Sequence, residues 1–460
     1  MSMSRKAFKY DMQRGLGSCV LELKNTQDKD KFLPLVLWGC SRDMAYDAQC
    51  EGCRSVYLYQ LITLFPNYTP FIDVLEKRLF QSMRSRGWEF LQDCEILSYF
   101  ALDGEKRAWG ILKSCYQELL QILHGKRKRT KNGLLPERDN FESLCITLIT
   151  MRPRMYEMIV RDIGLLIKSN SLYSAFDFLW FQSESQSDLG EKAVYRILHH
   201  PNANEGIRAY ALSMEEGRER WEMAGNERKK SEPRTADEIF ECLKEGANSE
   251  RISNRYQARN LMNQGRSQEV AKLAEYYRKE ENPDLRYRLL RMLSDKACVW
   301  SLDIERLIAD SRSGHDELAA RAFDALSHIR DTKVREYAYE LLQSERHYVE
   351  AASLLAANYE DGDREVFVRA VKQISITYKD GGWHGAFYDV MDLFSGPARH
   401  KPRELLPYLY RNTLCSYCRE HVVREMGRRR MLTREMLEEM QYDCNGEIRA
   451  YAERKLGLFL

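Results

Sequence analysis

The sequence has little proline and glycine for its length, with 11 Pro and 25 Gly among 460 residues. Both residue types are unfavourable inside helices. The chain is rich instead in straight-chain residues, which lose little side-chain entropy in a helix. It also lacks any convincing run of alternating polar and apolar residues, the pattern of a half-buried strand. We therefore predict an all-α fold.

Long apolar runs are absent too. No stretch approaches the roughly 18 uncharged apolar residues of a membrane-spanning helix, and the N-terminal residues contain no apolar core of a signal peptide. Twelve cysteines are scattered through helical patterns and are not grouped in a small loop-rich domain. We therefore expect reduced thiols, a cytoplasmic location and no membrane association.

No charge of one sign dominates, because 71 Lys and Arg stand against 69 Asp and Glu and give a net charge of +2. Non-specific nucleic-acid binders usually carry a basic excess, since their affinity comes largely from neutralising phosphates. The motifs of P-loop proteins, serine hydrolases, HExxH metalloproteases and kinases are missing as well. These absences favour a non-catalytic protein with no catalytic residue, no metal and no cofactor.

What the chain does contain is helical periodicity almost throughout, divided by short polar breaks, which is typical of stacked helical hairpins. Two longer polar stretches interrupt this pattern and predict a basic exposed loop and a linker. The predicted organisation is an N-terminal helical-repeat region at 1–123, the basic loop at 124–140, a central helical region at 141–224, the linker at 225–235 and C-terminal repeats at 236–460.

A weak repeat recurs in the C-terminal region, where an Asp or Asn precedes an aliphatic–Arg pair and then Ala or Leu at helical spacing. Its clearest instances are NPDLRYRLLRMLSD (282–295), DTKVREYAYELLQS (331–344) and CNGEIRAYAERKLG (444–457). These segments resemble the second helix of HEAT repeats, in the armadillo-type helical-repeat superfamily. The resemblance implies a superhelical array of antiparallel helix pairs, an α-solenoid. It also implies that Arg286, Arg335 and Arg449 bond to an Asp or Asn of a neighbouring turn and are structural.

The same resemblance implies a scaffold that binds a macromolecular partner, chiefly another protein, on a concave surface. The alternative is a nucleic-acid-binding protein, because a family of alkylpurine DNA glycosylases resembles HEAT arrays and holds DNA against a basic face. The candidate phosphate contacts for that alternative are Lys126, Arg127, Lys128, Arg129, Arg428, Arg429 and Arg430. Solvated charge runs are the competing interpretation of both basic tracts.

The densest polar group of the first half lies in a stretch, residues 44–65, that is predicted to form one helix. The candidate partner contacts in it are Tyr46, Asp47, Glu51, Arg54 and Tyr57. On a helix Asp47, Glu51 and Arg54 share one stripe. The competing interpretation is a set of ion pairs on a wetted helix face. Gly52 is unfavourable inside a helix, and a close helix crossing would explain it.

The segment KDGGWHGAFYD (379–389) is predicted to be an exposed loop, because glycines surround Trp383 and His384. Exposed aromatic residues on such loops are typical binding anchors. Both residues are therefore candidate partner contacts. A Trp that fills the joint between two repeats is the competing interpretation.

Two CxxC pairs occur, Cys50–Cys53 and Cys415–Cys418. Together they have the residues of a tetrahedral zinc site, and each alone has those of a redox motif. The pairs are far apart in sequence and each lies in a helical pattern, where an i,i+3 pair simply shares a face. Buried helix cysteines are the favoured interpretation, and metal binding is left open.

Overall fold

The computed structural model describes residues 3–85, 87–125, 135–170, 173–178, 200, 203–228, 234–245, 255–344, 347–377, 382–395 and 401–458. Within these ranges the regular structure is helical and contains no strand. The prediction of an all-α fold is confirmed. None of the described helices is both long and apolar enough to cross a membrane.

The chain divides into two compact units. Unit 1 contains Met1–Lys230, Leu414–Glu420 and Leu432–Leu460, and unit 2 contains Ser231–Thr413 and His421–Met431. The division after Lys230 falls inside the predicted 225–235 linker. The return of two C-terminal segments to unit 1 differs from the predicted organisation, which placed 236–460 together.

Unit 1 is formed by helices that pack mainly against their neighbours in sequence. Its helices are α1 (Arg5–Arg14), α2 (Ser18–Asn25), α3 (Leu33–Cys40), α4 (Ala48–Glu51), α5 (Ser55–Ile62), α6 (Thr69–Ser82), α7 (Glu89–Leu102), α8 (Lys106–His124), α9 (Pro136–Met151), α10 (Met155–Ser169) and α11 (Glu205–Arg228), with a 3₁₀ turn at Ala175–Phe178. Helix α7 contacts α5, α6, α8 and α9, and its buried residues include Phe90, Cys94 and Leu97. It is therefore central to the core of this unit.

Unit 2 follows the packing pattern of helical repeats, because its helices contact mainly helices one or two places away in the sequence. Its helices are α12 (Ala236–Lys244), α13 (Arg255–Asn263), α14 (Ser267–Lys279), α15 (Pro283–Leu293), α16 (Ile304–Ser311), α17 (Asp316–Leu326), α18 (Thr332–Gln343), α19 (Tyr348–Ala357), α20 (Arg364–Thr377), α21 (Gly382–Ser395) and α22 (Leu405–Asn412), with 3₁₀ turns at Val299–Ser301 and Asp361–Asp363. The last helices of the chain are α23 (Ser416–Arg428), α24 (Arg434–Met440) and α25 (Gly446–Leu456). Residues 416–420 of α23 belong to unit 1 and residues 421–428 to unit 2.

The structural role predicted for the repeat arginines is confirmed at two positions. Arg286 Nη1 lies 2.6 Å from Asp310 Oδ1. Arg335 bonds both carboxylate oxygens of Asp363, with Nη2–Oδ1 at 2.6 Å and Nε–Oδ2 at 3.1 Å. Arg449 differs, because its guanidinium donates to the main-chain carbonyls of Asp443 and Cys444.

The stretch 44–65 is not one helix, contrary to the prediction. Helix α4 ends at Glu51, and Gly52 follows it with φ of 69°. This left-handed conformation favours glycine because it lacks a Cβ atom. Helix α5 then begins at Ser55. Gly52 is therefore a helix terminator and does not mark a helix crossing.

Three predicted breaks have different boundaries in the structure. Helix α9 begins at Pro136, so 136–140 are helical, and Lys126, Arg127, Lys128 and Arg129 lie outside the described residues. Helix α11 extends to Arg228 and shortens the predicted linker from its N-terminal side. The predicted 379–389 loop is helical from Gly382, while residues 379–381 lie outside the described ranges.

We expect the Arg335–Asp363 pair to contribute strongly to stability. Replacing Arg335 with Met leaves the fully buried Asp363 carboxylate without its bidentate partner. Breaking a buried ion pair lowers the free energy of unfolding by about 3–5 kcal/mol. Because Arg335 is partly exposed, we expect a smaller loss of about 2–3 kcal/mol here. Urea-induced unfolding measures the change.

The control for this substitution is Lys333→Met in the same helix. Lys333 pairs with Glu305, and both side chains are more than half exposed. Loss of such a surface pair costs less than about 1 kcal/mol. Equal destabilisation by the two substitutions would contradict a structural role for the repeat arginine.

Candidate functional site

The polar residues at α4 form a buried cluster centred on the Glu51 carboxylate. Glu51 accepts hydrogen bonds from the main-chain N–H groups of Tyr46 and Asp47, the latter at 3.0 Å. It also accepts one from the N–H of Ser416, at 2.8 Å. The carboxylate therefore joins the start of α4 to the start of α23, although Glu51 and Ser416 are 365 residues apart.

Arg54 completes this cluster. Its Nη2 atom lies 3.1 Å from Glu51 Oε2 and donates to the Leu414 carbonyl at 2.8 Å. Its Nη1 atom donates to the Gln13 carbonyl at 2.5 Å. One guanidinium therefore holds together three segments of unit 1, and only 2% of its surface is exposed.

Both members of the ion pair remain charged in this environment. Burial alone would raise the pKa of Glu51, but the Arg54 guanidinium and the N–H donors of Ser416 and Asp47 lower that pKa to about 2. Burial lowers the pKa of Arg54, and the Glu51 carboxylate more than compensates and raises it. The cluster is a charged, hydrogen-bonded junction inside unit 1.

The structure separates the five candidate residues of this stretch into two groups. The side chains of Glu51 and Arg54 are buried, and Tyr57 is buried with its hydroxyl donating to the Leu16 carbonyl at 2.9 Å. These three side chains support the fold of unit 1. Tyr46 and Asp47 are half-buried, and partner contact through them stays a prediction.

The candidate residues that follow in the sequence, Trp383, His384 and the arginines 428–430, belong to unit 2. Trp383 and His384 lie in the first turn of α21, where His384 is half-buried. Arg429 donates to Glu425 at 2.8 Å and to the Phe394 carbonyl at 2.9 Å. The structure therefore gives this arginine a role in packing.

The remaining two arginines of that tract are more accessible. Arg428 pairs with Glu425 at 3.2 Å and keeps 73% of its side chain exposed. Arg430 is exposed and has φ of 56°, which ends the helical path after α23. Phosphate binding by Arg428 and Arg430 stays a prediction.

A groove that the sequence did not indicate lies between α7 and α9 in unit 1. Its volume is about 980 Å³. Helix α7 contributes Leu91, Glu95, Ser98, Tyr99 and Leu102, and helix α9 contributes Pro136, Arg138, Asp139, Asn140, Glu142, Ser143, Ile146, Thr147, Thr150 and Met151. Aromatic and aliphatic surfaces therefore alternate with small hydroxyl groups along its walls.

The groove carries more negative than positive charge. Three carboxylates and one guanidinium line it. Arg138 pairs with two of them, with Asp139 at 2.6 Å and with Glu142 at 2.8 Å, and its single positive charge balances only one of these two carboxylates. Glu95 has no cation within ion-pair distance among the described residues, and it accepts a hydrogen bond from the Ser55 hydroxyl. Burial raises the pKa of Glu95.

Sequence reasoning missed this groove because its signal is weak. Four residues of the α7 wall lie at helical spacing, namely Leu91, Glu95, Ser98 and Leu102. A helix face that mixes polar and apolar residues is also typical of an ordinary solvent-exposed helix. Only the packing of α7 against α9 makes this face the wall of a cavity.

No family model and no curated protein matches this chain. Among solved structures, it is similar to a chain of a "homology model of the full-length AP-3 complex in an intermediate open conformation". The two chains share 11% sequence identity, and the match covers 98% of this chain and 83% of that chain with a TM-score of 0.23. A TM-score this low is below the level at which two chains share a fold.

We expect the Glu51–Arg54 junction to hold the segment 414–420 in unit 1. Replacing Arg54 with Met removes the bonds to Gln13 and Leu414 and leaves the buried Glu51 without its cation. Loss of one partner of a buried pair costs about 3–5 kcal/mol. Amide hydrogen exchange should accelerate first in 414–420 and 432–460, because exchange reports local opening.

Arg107→Met is the matched control for this substitution. Arg107 also pairs with two carboxylates of unit 1, but its side chain is 42% exposed. Its replacement should leave exchange in 414–420 unchanged. Uniform acceleration across unit 1 in the Arg54 variant would show that the junction is not a local tether.

Proposed function

We propose that this protein is a helical-repeat scaffold that binds a protein partner, and that the groove between α7 and α9 takes up a partner segment with apolar and basic side chains. The observation that carries this proposal is the Glu95 carboxylate, which faces the groove with no cationic partner among the described residues. A Lys or Arg of the partner would supply that missing charge. Charge-assisted hydrogen bonds are roughly twice as strong as neutral ones.

The walls around Glu95 suit the rest of such a segment. Trp88 and Tyr99 line the same groove, and aromatic faces attract cations as well as apolar side chains. Ser98 and Ser143 offer hydroxyl groups that bond a partner's main chain. This combination of aromatic anchors with adaptable polar contacts is common at protein-binding surfaces.

The length of the groove favours a polypeptide over a compact small molecule. Its lining residues on α9 extend from Pro136 to Met151. At about 1.5 Å of rise per residue, this distance is about 22 Å along the helix. A peptide segment matches such an elongated surface and gains contacts along its whole length.

The charge of the groove argues against nucleic acid as its ligand. Phosphate contacts require an excess of Lys and Arg, whereas the carboxylates outnumber the single arginine here. The alternative of a nucleic-acid-binding protein would have to use another surface. The experiment that tests the proposal therefore also measures nucleic-acid binding.

The test is a selection of random displayed peptides on the purified full-length protein, with counter-selection on the Glu95→Gln variant. Selected peptides should be enriched in Lys or Arg flanked by apolar residues. Their affinity, measured by fluorescence anisotropy, should fall about ten- to hundredfold for Glu95→Gln, since a hydrogen bond to a charged group contributes about 1.5–3 kcal/mol.

Glu157→Gln provides the charge-matched control, because Glu157 is exposed on α10 and does not line the groove. This variant should bind the selected peptides like the wild type. Selected peptides that lack cations, or that bind both variants equally, would contradict the proposal. Tight, salt-sensitive binding of labelled duplex DNA or RNA, unaffected by Glu95→Gln, would favour the nucleic-acid alternative.

A further inference from the structure

Helix α7 presents one uncovered stripe to the groove. Apart from Glu89 at its start, the residues of α7 that are not buried lie at helical spacing, and they are Leu91, Glu95, Tyr99 and Leu102. The side chain of Leu102 is 56% exposed. The remainder of the helix packs against α5, α6, α8 and α9. The groove-facing side of α7 is therefore an apolar stripe of about three turns that is interrupted by one carboxylate.

The hydroxyl groups of the groove walls have already used their hydrogen-bond donors. Each donates to a main-chain carbonyl of its own helix, three or four residues earlier, and these residues are Ser98, Ser143, Thr147 and Thr150. The Asn140 amide donates to the carbonyls of Ser82, Met83 and Ser85. The hydroxyl oxygens can still accept hydrogen bonds. These walls therefore offer a partner acceptors and apolar surface.

The main chain of the two walls is committed as well. Both walls are α-helices, whose interior N–H and C=O groups bond within each helix. A partner strand would find no free edge here to pair with. The carbonyl groups of an extended segment would lose water without gaining donors, which is unfavourable. A helical segment bonds its own carbonyls, and the free N–H groups of its first turn can donate to the wall hydroxyls.

We propose that the partner segment enters the groove as an amphipathic α-helix, with one Lys or Arg opposite Glu95 and apolar residues one turn before and after that cation. This inference rests on the proposed function and adds the conformation and side-chain spacing of the partner segment. Glu95 lies one turn from Leu91 on one side and one turn from Tyr99 on the other. A helix that follows α7 matches this order when its apolar residues stand three or four positions from its cation.

The peptides obtained in the selection described above are the probes for this inference. Replacing a central peptide residue on the face opposite the cation with Pro should weaken binding to the full-length protein about a hundredfold, because proline inside a helix costs about 3 kcal/mol. Replacing the same residue with Ala is the control and should leave the affinity unchanged. Moving the cation by two positions takes it off the apolar face. This change should weaken binding as much as Glu95→Gln does.

A variant of the protein tests the apolar stripe from the other side. Leu102→Arg should weaken binding of the peptides about tenfold or more, since it removes an apolar contact and adds a cation beside the cation of the peptide. Leu102 is mostly exposed, so the variant should keep the urea-unfolding curve of the wild type. The matched control is Leu212→Arg on α11, where the leucine is 59% exposed and does not line the groove. Its peptide binding should equal that of the wild type.

The outcomes separate this inference from the proposed function. Peptides that lose affinity for Glu95→Gln but tolerate proline, or that carry their apolar residues at alternate positions, would overturn the helix and leave the proposed function standing. Wild-type binding by the Leu102→Arg variant would also overturn only this inference. Peptides that ignore Glu95→Gln, or a selection that enriches no peptide, would overturn both.

Discussion

The buried Glu51–Arg54 pair is the interaction on which unit 1 depends. It joins residues that are 365 positions apart, and chain-entropy arguments put the cost of closing a loop of that length at about 5 kcal/mol. A single exposed ion pair contributes too little to offset this cost. The Arg54 guanidinium instead makes charge-assisted bonds to two carbonyls as well as to Glu51. The charges are stable in the interior because each has its partner.

Other contacts near this junction also hold C-terminal segments of the chain in unit 1. Arg419 and Asp443 form a second ion pair that is completely buried, with Nη2–Oδ1 at 2.9 Å. A Cβ atom at Gly17 would lie only 1.9 Å from the Glu439 carbonyl oxygen, so glycine is required for α24 to approach this turn. Unit 1 therefore draws its core from both ends of the sequence, and truncation at either end would expose buried charges.

The parts of the fold that could be predicted are those set by local sequence. Arg286 and Asp310 are 24 residues apart, and Arg335 and Asp363 are 28 apart, so one repeat contains each pair. Periodicity placed Glu51 and Arg54 on one face of a single helix; they do pair, but across the break at Gly52, because α4 ends at Glu51. Their burial could not be predicted, because the segment that covers them lies near the other end of the chain. The groove beside Glu95 could not be predicted either. It is formed by the packing of α7 against α9, and periodicity does not show which helices pack together.

The long separation of the two CxxC pairs in the sequence argues against a joint role for them. The buried Glu51–Arg54 pair weakens this argument, because it holds the segment that begins at Leu414 beside α4. Once the Glu51 carboxylate and the Arg54 guanidinium hold residues 414–416, the entropy of closing the loop has already been lost. Each further contact between these segments therefore forms at high effective concentration.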